Sequence, residues 1–178
     1  AELLGMDPAR LRKLHFDEKI PTVEADVRGR RMYTAADLIG IRRSLEEQSR
    51  KRGTFLPGRR EGDRIQVIAV ANYKGGSSKT TTSIHLAQRL ALRGYRVLAI
   101  DIDPQGSLTT MFGYTPETEF QGGGNIYDAI RYEDPIPMRE VIRKTYFPNL
   151  DLAAAGLVLA EFEHETPRAL QERREPMF

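Results

Sequence analysis

Two lysines five positions apart, Lys74 and Lys79, flank the turn Gly75-Gly76-Ser77-Ser78, and three threonines follow the second lysine. A glycine-rich turn that opens a helix exposes successive backbone N–H groups, and the helix N-terminus adds about half a positive charge, so an anion settles there. Phosphate is the natural guest. In the pattern G-x-x-x-x-G-K-[ST] the lysine reaches the β- and γ-phosphates and the hydroxyl residue ligates Mg²⁺. Lys79 and Thr80 fit those roles, with Gly75, Gly76, Ser77, Ser78 and Thr81 forming the cradle. Two positions depart from the pattern, because Tyr73 and Ser78 stand where its two glycines would be. Ser78 is expected in a left-handed backbone conformation, which costs a non-glycine residue on the order of 1 kcal/mol. Farther along, Asp101 and Asp103 follow a second apolar run, and a carboxylate serving an attacking water must lie within hydrogen-bond reach of it.

These residues need elements to hold them. Ile65–Ala71 is short and rich in β-branched residues, which suits a buried parallel strand ahead of the turn. The segment Thr80–Gly94 reads as a helix with Ile84, Ala87, Leu90 and Ala91 on one face and Gly94 at its end. Tyr95–Ile102 reads as a second buried strand, completing a βαβ unit whose crossover is right-handed. Beyond it the pattern predicts short helices over Ile126–Arg131 and Met138–Lys144, a strand in "LDLAAA", and helical "LVLAEFEHE" and "RALQERRE". The "QGGGN" loop lacks a preceding strand and reads as a connection.

The amino-terminal third has a different character. Residues 1–64 hold 15 Lys/Arg against 11 Asp/Glu, and residues 65–178 hold 12 against 14, a division of +4 and −2. Asp7 caps a helix with Pro8 at its first position, and Gly5 turns the chain just before it, as in a helix-turn-helix. Ile20–Thr34 contains an "RGR" turn among β-favouring residues and reads as a small hairpin, or wing. Thr34 then caps a helix carrying Leu38, Ile41 and Leu45 at helical spacing. Arg10, Arg12, Lys13, Arg28, Arg30 and Arg31 form the expected DNA-facing set, mostly through phosphates, which set affinity and salt dependence but not sequence choice. The expected division is a winged helix-turn-helix over 1–50, a Gly- and Arg-rich linker over 51–64, and an α/β domain over 65–178.

Composition excludes several alternatives. The chain of 178 residues has 40% hydrophobic residues and no cysteine, so a packed core is expected while disulfides, thiolate metal sites and thiol nucleophiles are impossible. The longest apolar run, Leu152–Ala160, is far short of the ~20 residues of a membrane span. Cytoplasm is the default compartment. His15, His85 and His164 have no mutual spacing that would hold a metal. Both ends read as cut, since the chain opens on Ala1 and stops after "EPMF" without a terminating pattern.

"KGGSSKTTT" resembles the deviant Walker A motif K-G-G-x-G-K-[ST] of the ParA/MinD family of ATPases, and "LAIDIDPQGSLTTMFG" resembles that family's D-x-D-P-Q segment. With the amino-terminal module and "FEHETPRAL", the chain is most similar to the RepA-type partition ATPases of RepABC plasmid systems. The resemblance implies a P-loop NTPase-type α/β fold, a parallel sheet with flanking helices that is truncated here, and ATP and Mg²⁺ as cofactors. It implies that Lys74 reaches across an ATP-bound homodimer to the partner's phosphates, that Asp103 orients the water, and that Asp101 lies near the metal's outer shell. It also implies DNA, both operator and non-specific, and a centromere-binding partition protein of ParB/RepB type as partners, with a cytoplasmic, nucleoid-associated location and no membrane. The family's Walker B aspartate and adenine contacts are not in this stretch. A reading from another class is a nucleotide-responsive repressor with little or no hydrolysis.

Overall fold

The computed structural model describes residues 1–58, 60–120 and 122–173. The chain divides into two compact units, one comprising Ala1–Tyr73, His85–Val97 and Phe147–Leu150, the other Lys74–Ile84, Leu98–Tyr146 and the chain from Asp151 onward. This division cuts through one helix and two strands.

In the first unit a single 3₁₀ turn, Glu2–Leu4, ends on Gly5 at φ 67° and leads into α1 (Pro8–Phe16), whose first turn is closed by Asp7 accepting from Ala9 N. The expected leading helix of a helix-turn-helix is thus three residues long. The wing is reduced to one bridge, Ala25 with Arg31. The reason is local: Asp26 Oδ1 accepts from the N–H groups of Arg28 and Arg30 at 2.9 and 2.8 Å, so the carboxylate and not a facing strand satisfies the turn. Then α2 (Ala35–Glu47) begins with a capping box between Thr34 and Asp37. Leu11, Ile20, Val23, Leu38, Ile41 and Leu45 pack with Leu4 as this unit's core, and each fully buried aliphatic side chain contributes about 1.5–3 kcal/mol.

The expected linker is partly built into the unit. Glu46 accepts from the N–H groups of Gly53, Phe55 and Leu56. Burial alone would raise the Glu46 pKa, but the N–H groups of Phe55, Gly53, Leu56 and Thr54 outweigh it and hold the carboxyl below its usual value. Arg59, within the same stretch, lies outside the described residues.

The run Ile65–Ala71 forms no strand, and Ile65, Val67 and Ile68 are 92, 90 and 58% exposed. β-branched composition favours extension, but a buried strand also requires hydrogen-bonded neighbours, and none pairs with this run among the described residues. The βαβ unit is therefore not closed there. Next come α3 (Lys79–Leu92) and β1 (Val97–Ile100), shorter than the expected Tyr95–Ile102.

In the second unit α4 (Ser107–Met111), α5 (Pro116–Glu119) and α6 (Ile126–Ile130) follow, the last with a capping box between Asn125 and Asp128. The helix expected over Met138–Lys144 splits into α7 (Met138–Val141) and β2 (Ile142–Lys144). Pairing overrides propensity there: β2 runs antiparallel to β3 (Leu150–Ala153), and Lys144 meets Asp151 at 2.9 Å across the register. The sheet order is β1-β3-β2. Val97 N donates to Asn149 O and Asp101 N to Ala153 O, so β1 and β3 advance together in parallel. As an edge strand, β1 leaves Leu98 and Ile100 partly exposed, contrary to the expected burial.

The two expected carboxyl-terminal helices are one, α8 (Leu159–Arg173), which continues through Pro167. Tyr132 stacks on Phe162, Tyr127 donates to Glu165 at 2.6 Å, and the Thr166 hydroxyl takes the Phe162 carbonyl, so side chains hold the turns that the proline would loosen. The last residues of "RALQERRE", from Arg174, lie outside the described residues. Ile126, Val141, Ala153, Ala155 and Leu159 form this unit's core.

Candidate functional site

The turn expected to hold phosphate leads straight into α3. Ser78 O accepts from Thr82 N at 2.9 Å, the first bond of the helix, so the N–H groups of Lys79, Thr80 and Thr81 have no partner within it. Gly76 and Ser78 both have positive φ, 69° and 59°. The left-handed Ser78 anticipated from the sequence is thus present, and the alternation of hand turns successive N–H groups toward one side, a concavity suited to an anion.

Gly75, Gly76, Ser77, Ser78, Lys79, Thr80 and Thr81 line a cleft of ≈450 Å³ together with Asp103 and Ser107. A Cβ at Gly75 or Gly76 would meet nothing within 4 Å, so the lip of the loop is open. Ser77 Oγ is buried and has no hydrogen-bond partner among the described residues. Backbone amides, an ammonium group, hydroxyls and one carboxylate make a donor set that fits a phosphorylated ligand carrying a divalent cation.

Asp103 is held inside its own turn: its Oδ1 accepts from Gln105 N at 3.0 Å and its carbonyl from Gly106 N at 2.8 Å. Gly106, at φ 61°, then starts α4. A Cβ on Gly106 would press into the Pro116 ring at 2.6 Å.

Two of the expected site residues lie outside this lining. Lys74 is exposed and does not line the cleft. Asp101, expected near a metal's outer shell, is 4% exposed and outside the lining, and its Oδ2 accepts from Thr109 N at 2.8 Å and Thr109 Oγ1 at 2.7 Å. That carboxylate is engaged by protein donors, not directed at the cleft. Ser107 was not singled out in the sequence; its signal is a hydroxyl at the first position of a helix opened by a left-handed glycine. Among the described residues no group of three or more His, Asp or Glu is placed to hold a metal ion by itself.

In the other unit Arg12 and Arg31 share a cleft of ≈380 Å³ with Leu11 and Tyr33. Arg10, Lys13, Arg28 and Arg30 are exposed as well. Arg30 is a member of an ion pair, its Nη2 lying 2.9 Å from Asp26 Oδ2, so its charge serves the turn first. His15 Nε2 lies 2.9 Å from the Tyr33 hydroxyl.

A glycine loop feeding a helix, with a carboxylate from the end of a parallel strand's connection beside it, defines a P-loop type α/β nucleotide-site architecture. Residues 65–176 match the family model described as AAA domain, and the chain belongs to that family, in its ParA-type branch. "Putative replication protein A" of Rhizobium rhizogenes is 47% identical over 176 residues, 98% of this chain and 44% of that protein. "Chromosome partitioning protein ParA" of Caulobacter vibrioides (strain NA1000 / CB15N) is 42% identical over 101 residues, 57% of this chain and 36% of that protein. The chain therefore spans less than half the length of these relatives. Among solved structures, cobyrinic acid a,c-diamide synthase from Mycobacterium smegmatis, with bound ADP and magnesium, shares 32% identity at a TM-score of 0.48, covering 53% of this chain and 36% of that one. No described helix is long and apolar enough to cross a membrane.

Proposed function

We propose that this chain is the nucleotide-binding part of a DNA-partition ATPase that binds ATP with Mg²⁺, dimerises in that state and contacts DNA through its amino-terminal module. The observation that carries the reading is the single cleft uniting Gly75–Thr81 with Asp103. In this reading the amides of Gly76–Thr81 and the Lys79 ammonium bind the phosphates, Thr80 offers its hydroxyl to the metal, and Asp103 orients water. ATP supplies the phosphoryl group whose loss separates the two states, and Mg²⁺ its charge neutralisation. Lys74, exposed beside the cleft-lining Gly75, serves the partner copy's phosphates, where a further cation stabilises charge spread over several oxygens.

The amino-terminal arginines hold DNA phosphates, so the same protein binds non-specific DNA and represses its own operon. A centromere-binding protein of ParB/RepB type is the expected activator, and the location is cytoplasmic on nucleoid or plasmid DNA. These partners follow from the relatives' names and the charge of the module.

The test uses the full-length protein with Mg²⁺ and a fluorescent ATP analogue. Saturable, Mg²⁺-dependent binding that Lys79→Ala weakens at least tenfold is the expected result. Phosphate release that falls with Asp103→Ala identifies an ATPase, and release indifferent to Asp103→Ala leaves the nucleotide-responsive repressor. Absence of Mg²⁺-dependent binding defeats both.

A further inference from the structure

Asp101 and Thr109 are both buried, at 4% and 0% exposure, and neither lines the cleft. Among the described residues Asp101 has no ion-pair partner, so its carboxylate depends on the donors around it. There are three: Thr109 N at 2.8 Å, Thr109 Oγ1 at 2.7 Å and Asp103 N at 3.3 Å. The Thr109 hydroxyl, having donated to Asp101, accepts from Ala155 N at 2.9 Å, just past the end of β3. One hydroxyl thus closes the segment 101–109 into a ring and ties that ring to the sheet.

Asp103 and Ser107, the two residues of this segment that line the cleft, both lie inside the ring. The Asp101–Thr109 contact, which Asp103 joins only through its N–H and Ser107 not at all, therefore helps to set their positions. We infer that Thr109 is a positioning residue for turnover, with Asp101 as its buried counter-group: together they hold the Asp103 carboxylate at its place over the phosphate loop. This rests on the proposed nucleotide-dependent reaction, and gives Asp101 a task other than metal binding.

The chemistry of the pair explains why threonine is used. A methyl in place of the hydroxyl removes a donor from a buried carboxylate and the acceptor from a buried amide, and unsatisfied buried groups drive local rearrangement. A shift of about 1 Å in a reacting group costs on the order of a hundredfold in rate. Phosphate binding does not depend on the ring, because its donors are the amides of 76–81 and Lys79.

Full-length Thr109→Val is therefore expected to lower kcat on the order of 10- to 100-fold, while Mg²⁺-dependent affinity for a fluorescent ATP analogue stays within about twofold. Thr109→Ser, which keeps the hydroxyl, is expected to restore most of kcat. Asp101→Asn keeps an acceptor oxygen and is expected to lose less turnover than Thr109→Val with an unchanged Mg²⁺ requirement. Wild-type turnover in Thr109→Val, equal loss of binding and turnover without rescue by serine, or a raised Mg²⁺ requirement in Asp101→Asn would each overturn the inference. Should Thr109→Val fail to fold, the serine and asparagine variants decide it. Wild-type protein that neither binds nor turns over nucleotide sinks the underlying reading instead, so the two failures are distinct.

Discussion

Arg42 donates its Nε–H to the carbonyl of Leu92 at 2.8 Å, joining α2 to the last turn of the helix that begins at the phosphate loop. The same guanidinium gives Nη1 to Phe55 O at 2.9 Å and Nη2 to Leu3 O. A cation at a helix C-terminus meets carbonyls that have no intrahelical donor, which is favourable on charge and on hydrogen bonding. Burial and then the nearby Arg93 charge lower its pKa, yet the three carbonyls repay a group that is only 5% exposed. Gly94, at φ 97°, is part of the arrangement, because a Cβ there would collide with the Phe55 carbonyl. Arg42→Met leaves three carbonyls short of a donor and is expected to cost about 2–4 kcal/mol. Arg42→Lys recovers little, since one ammonium lacks the planar fork that spans three segments. Urea unfolding midpoints of the two variants check this, and equal midpoints for wild type and Arg42→Met would refute it.

Ser78 at φ 59° holds a conformation that disfavours a side chain. Ser78→Gly removes that strain, on the order of 1 kcal/mol, partly offset by the greater freedom of glycine in the unfolded chain. Thermal midpoint is expected to rise by a few degrees or stay level, with Mg²⁺-dependent nucleotide affinity equal or tighter. A clear fall in either quantity shows that the serine hydroxyl is needed in the loop.

Local patterns were legible in the sequence, and tertiary completions were not. The capping residues Asp7 and Thr34, the αL serine of the loop and the helix ending near Gly94 all follow from chemistry within a few residues. Ile65–Ala71 misled because β-branched composition describes one strand, whereas burial depends on neighbours. Ile142–Lys144 looked helical until its partner Ala153–Asp151 is considered. Of the cleft, the loop and Asp103 were readable, but the Thr109 link to Ala155 spans 46 positions and leaves no periodic trace. Arg42 and Glu46 likewise carry no local mark of their role, because the backbone each grips lies beyond the helix that holds them.

The proposed DNA contacts separate by environment. Arg12 and Arg31 share a cleft, while Arg30 is committed to Asp26. Arg12→Glu with Arg31→Glu is expected to weaken duplex DNA binding at least tenfold and to reduce the slope of log K against log salt by about 2, since each phosphate contact contributes roughly one. Nucleotide affinity should not move. Arg30→Gln acts differently, loosening the turn that Asp26 closes, and should reduce DNA binding with little change in slope. Salt titrations by fluorescence anisotropy distinguish the cases, and unchanged affinity in the double variant would remove the cleft from the interface.

His15 provides a pH handle on the amino-terminal unit. Burial first, then the positive charge of Arg31, hold its pKa below the ordinary value, and its Nε2 lies beside the Tyr33 hydroxyl. The folded unit therefore favours neutral imidazole, whereas the unfolded chain takes up a proton near pH 6.5. The unfolded state binds more protons below that value, so stability is fully present above it and falls as pH drops toward the folded pKa. Unfolding midpoints should accordingly decline between about pH 7 and pH 5.5, before carboxylates titrate. His15→Gln, which keeps a polar contact for Tyr33 without a titrating ring, should flatten that decline. An identical pH profile in wild type and His15→Gln would assign the loss to other groups.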